Sequence, residues 1–150
     1  MAAEPKAMIH RWFDEVWNQG RLETIDELFA EESVAHGLGE GGRMVRGPAA
    51  FKPLVQNLRA AMPDLHIGVE DIVVDGDRAA FRVVLQGTHT GDGLGVPPSG
   101  RPVRVAGMVM VRFENGRIME GWNSWDQLGL LQQIGAVPEP GREDRFLSRA

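Results

Sequence analysis

The run Trp122-Asn123-Ser124-Trp125-Asp126-Gln127 concentrates more reactive chemistry than any other part of this sequence. A carboxylate set between two tryptophans meets a low-dielectric surround, which raises its pKa and suits it to proton transfer. The same run contains Ser124-x-x-Gln127, a capping box that puts Asp126 in a first helical turn, where the helix dipole favours the anion. Asp126 is thus a candidate proton acceptor or a capping group, and spacing serves both readings. His36 and His89 each end a strand just before a glycine-rich loop, where site residues collect. Imidazole is the readiest proton carrier near neutral pH. A histidine bonded to backbone for structural reasons fits those two positions equally well. His10 and His66 fall at positions that read as solvent-facing.

Other chemistries are excluded by composition. The 150 residues contain no cysteine and no tyrosine, so there is no disulfide, thiolate ligand, cysteine nucleophile or phenol donor. The four histidines show no H-x-x-x-H or H-E-x-x-H spacing, and no metal or cofactor is expected. A net charge of −5, with fourteen Arg and two Lys scattered along the chain, argues against nucleic acid. The longest uncharged apolar stretch, Val105 to Val111, is far short of a membrane span, and the start lacks an apolar leader. The expectation is a soluble, cytoplasmic protein.

Gly37-Leu38-Gly39-Glu40-Gly41-Gly42 fits G-x-G-x-x-G, but no parallel strand–helix unit surrounds it. A flexible loop at a pocket rim is the better reading. Met44, Met108, Met110 and Met119 are either a polarizable wall for a flat ligand or ordinary core filler.

The elements that must position these residues follow from periodicity. Ile9, Trp12, Phe13, Val16 and Trp17 recur at helical spacing until Asn18-Gln19-Gly20 stops them. A short second helix carries Leu22, Ile25, Leu28 and Phe29. A third starts at Gly47-Pro48 and runs through Phe51, Leu54, Val55 and Leu58 to Met62-Pro63. The period then becomes two at Leu65, Ile67 and Val69. Strands follow over Ala79 to His89, Val103 to Phe113 and Arg117 to Trp125, with tight turns at Asp75-Gly76-Asp77 and Glu114-Asn115-Gly116. A last helix carries Leu128, Leu131 and Ile134. Helices followed by an antiparallel meander predict one α+β domain over 1–150, its core about 5–137 and its tail 138–150 loosely held.

Gly87-Thr88-His89-Thr90-Gly91 and Gly95-Val96-Pro97-Pro98-Ser99-Gly100-Arg101 resemble the central motif of the SnoaL-like polyketide cyclases. Trp17-Asn18-Gln19-Gly20, Arg46-Gly47-Pro48, Asn115-Gly116-Arg117-Ile118 and Leu130-Leu131-Gln132-Gln133-Ile134-Gly135 match in order, over about 8 to 137. The resemblance implies the cone-shaped nuclear-transport-factor-2-like fold, a curved antiparallel sheet packed against three N-terminal helices. It also implies an apolar pocket for a small apolar or aromatic ligand, and a homo-oligomer formed through the open sheet. Members of that family close a ring by aldol condensation without cofactor or metal, using an Asp on the last strand and a His on the strand before. Those positions fall at Asn123 and Val109 here, so neither acid/base group is present. The expected site is therefore Asp126, His89 and His36 for proton transfer, with Asn123 and Trp122 holding the substrate oxygen. Trp125, Trp17, Met108, Met110 and Phe81 are expected to form the wall. The alternatives are an isomerase, hydratase or epoxide hydrolase-type relative, or a non-catalytic small-molecule-binding domain of the same fold.

Overall fold

A computed structural model describes residues 4–138. The expected tail beyond that point lies outside the described residues. The chain runs through helix α1 (Pro5–Arg11), a π-helical continuation (Trp12–Asn18), α2 (Glu23–Leu28), β1 (Phe29–His36), β2 (Val45–Arg46) and α3 (Gly47–Ala61). It continues through β3 (His66–Asp75), β4 (Arg78–Thr88), β5 (Pro102–Glu114), β6 (Arg117–Trp125) and α4 (Gln127–Gln133). The six strands form one sheet in the order β2-β1-β6-β5-β4-β3. This is the α+β cone expected: a curved open sheet with helices over one face.

The meander from β3 to β6 is antiparallel, as its tight turns require. Asn115 and Gly116 both take positive φ, and Gly76 does the same in the preceding hairpin. The sequence reading did not resolve that β1 joins β6 in parallel, pairing His36 with Trp122 and Ala35 with Gly121. Register shifts between Val69 and Asp71 and between Arg112 and Phe113 bend the sheet, because an extra residue on one strand increases local twist.

Alternation decides what each strand buries. Along β5, Val103, Val105, Gly107, Val109, Val111 and Phe113 are buried, and the residues between them are exposed or half-buried. The first helix covers this inner face with Ile9, Trp12, Phe13, Val16 and Trp17, all buried. Trp12 and Trp17 meet Phe51 of α3 edge-on, at centroid distances of 5.1 and 5.7 Å. The helix is held at its C-terminal end, where the Asn18 side chain acts as a piece of strand edge. Its Nδ2 donates to the Ile67 carbonyl at 3.0 Å, and its Oδ1 accepts from the Ile67 N–H at 2.7 Å. Arg59 of α3 donates to the carbonyls of Trp17 and Asn18 and so ties both helices to the same corner. Glu15, bonded to Thr24, Arg11 and Arg21, joins the first helix to α2. The Thr24 hydroxyl, then the Arg11 guanidinium, hold its carboxyl below the usual carboxylate range.

Asn18→Ala leaves the Ile67 N–H and carbonyl without partners in a half-buried position. It is expected to cost about 1–3 kcal/mol of stability in urea unfolding, the penalty for stranding such groups. An unchanged unfolding midpoint would show that the clamp is dispensable.

Candidate active site

Between the sheet and its helical cover lies a cavity of about 310 Å³. The first helix contributes Ile9, Trp12, Phe13 and Trp17, and α3 contributes Phe51, Leu54, Asn57 and Leu58. The sheet contributes Phe29, Ala35, Ile67, Phe81, Leu85, Val105, Val109, Val111, Ile118, Gly121, Asn123 and Trp125. Leu38, Gly93 and Leu94 come from the two glycine-rich loops, and Asp126, Gln127 and Leu130 from the start of α4. The π-helical turn matters to this wall, because its wider winding spreads Trp12, Phe13 and Trp17 across the inner face. An apolar chamber with a few fixed polar groups is the usual form of a small-molecule site.

Side-chain functional groups on the lining are few: Asn57, Asn123, Asp126 and Gln127, with the indole N–H of Trp12, Trp17 and Trp125. Asp126 is the one ionisable lining residue among the described residues. It is exposed and caps α4, its Oδ1 accepting the Gly129 N–H at 2.8 Å. The capping box expected from Ser124 and Gln127 is corrected accordingly. Asp126 itself is the cap, and the helix begins one residue after it. Asn123 donates one N–H to the His36 carbonyl at 3.0 Å, which fixes the orientation of its amide.

Strand register sorts the remaining expected residues. Phe81, Val109 and Asn123 are successive cross-strand partners and face inward, with Trp125 two residues along. Val109 and Asn123, where the resemblance led to the expectation of a missing His and Asp, are therefore adjacent across β5–β6, and both border the cavity. Trp17, Phe81, Asn123, Trp125 and Asp126 line it as expected. Trp122, Met108 and Met110 do not. One residue along a strand reverses the face, and all three sit on the outer side of the sheet, where Met108 is 57% and Met110 43% exposed. His36 is on that outer face too. Its ring stacks on Trp122 at 5.6 Å, and its Nε2 lies 2.7 Å from Glu120. Met110, Trp122 and His36 follow one another across β5, β6 and β1, on the face away from the cavity.

His89 lies outside the lining as well. It is fully buried at the inner end of β4, and its Nδ1 accepts from the Ser99 N–H at 3.1 Å. Asp64 anchors the preceding residue by accepting both the N–H and the hydroxyl of Thr88. Those two bonds, the backbone one foremost, hold the Asp64 carboxyl below its ordinary range. His10 and His66 are exposed, as read. Sequence reasoning missed Gly107, which pairs with Trp125; a Cβ there would stand 2.6 Å from the indole ring. A glycine in an otherwise apolar strand is the signal for such close approach. It also missed Leu94 and Asn57, which no periodicity marks as lining.

The profile of a family described as SnoaL-like polyketide cyclase matches residues 7–134. An aklanonic acid methyl ester cyclase, DauD, of Streptomyces sp. (strain C5) is 27% identical over 135 residues, covering 87% of this chain and 82% of the relative. A nogalonic acid methyl ester cyclase of Streptomyces nogalater is 28% identical, covering 79% and 89%. Among solved structures, wild-type IdmH from Streptomyces antibioticus, assigned as a polyketide cyclase, superposes with a TM-score of 0.77 at 35% identity over 89% of this chain and 99% of that one.

Val109→Phe projects a ring into the cavity from the middle of its sheet wall. It is expected to abolish the quenching of tryptophan fluorescence by 1-naphthol while costing about 1–3 kcal/mol through overpacking. Undiminished 1-naphthol binding by a folded variant would place the probe elsewhere.

Proposed function

The chain belongs to the SnoaL-like polyketide cyclase family, and we propose that it is a cyclase-type enzyme in which Asp126 moves the proton. The substrate is an apolar carbonyl compound or polyketide intermediate held in the cavity. The observation that carries this reading is that Asp126 is the single carboxylate on a mostly apolar lining that also holds Asn123, an amide with a fixed orientation.

The chemistry balances without a redox partner. The Asp126 carboxylate takes a proton from the carbon next to a carbonyl, and the C–H electron pair becomes the enolate. The Asn123 amide, whose second N–H has no acceptor among the described residues, donates to the developing oxyanion. The enolate carbon attacks a second carbonyl of the same molecule and forms the ring C–C bond. The resulting alkoxide recovers the proton from Asp126. Holding both carbonyls against rigid aromatic walls supplies the proximity that an intramolecular closure needs.

Aklanonic and nogalonic acid methyl esters, the compounds named for the relatives, are the first substrates to test. Ring closure gives an isomer of unchanged mass, separable by chromatography. Asp126→Asn is expected to slow it roughly 10²-fold, as loss of a general base does. Full turnover by that variant would overturn the assignment. The pairing of Val109 with Asn123, where the resemblance implies a missing His and Asp, favours a second reading: a binding domain without turnover. Tight binding of both esters with no conversion would establish that instead.

The outer face supports a further part of the proposal, association with a second copy. His36, Trp122, Met110, Ala80 and Val73 form a cross-sheet row, with Val73 66% exposed. Asp71 and Asp75 on β3 lie beside Arg82 and Arg78 on β4, giving a face with both charges to offer a two-fold mate. Sedimentation is expected to show a dimer at micromolar concentration, and Met108→Glu with Met110→Glu a monomer. A monomeric wild-type chain would rule the interface out.

A further inference from the structure

His89 combines three properties that an ordinary core histidine does not. It has no exposed surface, its Nδ1 is fully engaged, and its Nε2 is the only buried side-chain polar atom without a partner among the described residues. The engagement is with one residue across a loop. The Ser99 N–H donates to Nδ1 at 3.1 Å, and the Ser99 hydroxyl lies 3.0 Å from the same atom. A backbone N–H can only donate, so Nδ1 carries no proton and the ring proton resides on Nε2. The Ser99 hydroxyl in turn accepts from the Arg101 N–H at 3.2 Å.

The loop so fastened is the excursion from 90 to 100 between β4 and β5. Backbone bonds close its base, from the His89 N–H to the Arg101 carbonyl and from the Gly100 N–H to the His89 carbonyl. Its outgoing limb lies flat on the end of α3. The Gly91 N–H donates to the Ala61 carbonyl, and a Cβ at Gly91 or Gly93 would overlap the carbonyls of Ala60 or Asn57. Gly93 and Leu94 then form part of the cavity wall. The outgoing limb is held by backbone contact with α3. The returning limb is held by an imidazole.

We propose that His89 is a positioning residue: as the Nε2–H tautomer it latches Ser99 and thereby sets how readily the loop over the cavity opens. The inference rests on the cavity being the binding site, but the latch itself can be read without any ligand. Because the latch needs only an acceptor at Nδ1, His89→Asn should preserve it, since the Asn Oδ1 stands the same number of bonds from Cα. His89→Leu keeps the bulk and removes the acceptor.

Three measurements test this. In the wild-type protein, nitrogen-15 NMR of the imidazole is expected to show an unprotonated Nδ1 and a protonated Nε2; the opposite tautomer overturns the latch. Amide exchange at Ser99 and Gly100, both bonded to His89, is expected to accelerate roughly tenfold in His89→Leu, the scale of one or two lost hydrogen bonds, with Val83 and Val109 unchanged. His89→Asn is expected to retain wild-type exchange at both loop sites. Equal loosening in both variants, or in neither, overturns the proposal, and if His89→Leu does not fold, the Asn variant and the tautomer decide it. Entry of 1-naphthol should accelerate by a similar factor in His89→Leu alone; unchanged entry behind a loosened loop overturns the gating role. Loss of cyclisation by Asp126→Asn bears on none of these readouts, so the two proposals fail separately.

Discussion

The two hydrogen bonds between the Asn18 amide and the Ile67 backbone set the distance between the helices and the sheet. Most small domains close that distance with side chains until no void remains. Here the first helix is held at its end by a polar clamp, and its aromatic side chains brace against Phe51 of α3, Phe29 of β1 and Phe81 of β4. Arg59 adds a second tether at the same corner. The chamber survives because its spacing is fixed by hydrogen bonds at the rim and by ring-on-ring contact in the wall. Removing the polar clamp leaves the apolar surfaces free to collapse onto one another.

A chamber built this way has strict chemical consequences. Its lining carries one carboxylate and three side-chain amides among tryptophan, phenylalanine and branched aliphatic residues. Any ligand charge buried there would go largely uncompensated, so under the proposed function the lining favours molecules that are neutral over most of their surface. Two of those polar groups are held in fixed directions, Asn123 by the His36 carbonyl and Asp126 by the Gly129 N–H. Preorganised dipoles of this kind stabilise developing charge without having to reorient.

Periodicity and turn chemistry made the elements legible, because Gly20, Gly76, Asn115 and Gly116 adopt the positive φ that their positions in the sequence suggest. The parallel pairing of β1 with β6 was not legible, since nothing local to either strand specifies a partner some eighty residues away. Of the residues expected at the site, Trp17, Phe81, Asn123, Trp125 and Asp126 border the cavity, while Trp122, Met108, Met110 and His36 lie on the opposite face of the sheet. The reason is a single-residue phase. Trp122 and Trp125 are an odd number of positions apart, so a strand that shows one to the cavity shows the other to the outside. His89 was open to a proton-transfer or a structural reading from its place beside a loop, and its ring lies outside the lining with Nδ1 bonded to Ser99. Only the Ser99 partner, ten residues on, distinguishes those roles.

The parallel union of β1 with β6 also orders events during synthesis. β1 leaves the ribosome with Phe29 and Ala35 on its inner side, yet its neighbour β6 follows only after all the other strands. Until residues 117–125 emerge, one long edge of β1 has no mate except solvent or another nascent chain. The hairpins from β3 to β6 can zip locally, but closing the sheet demands a contact spanning most of the chain, which slows the final step. The two-residue β2, pairing along the opposite edge, covers part of β1 during that interval. The cavity is therefore completed only once β6 has emerged, and termination before β6 leaves a chain with an open strand edge and an uncovered aromatic helix face.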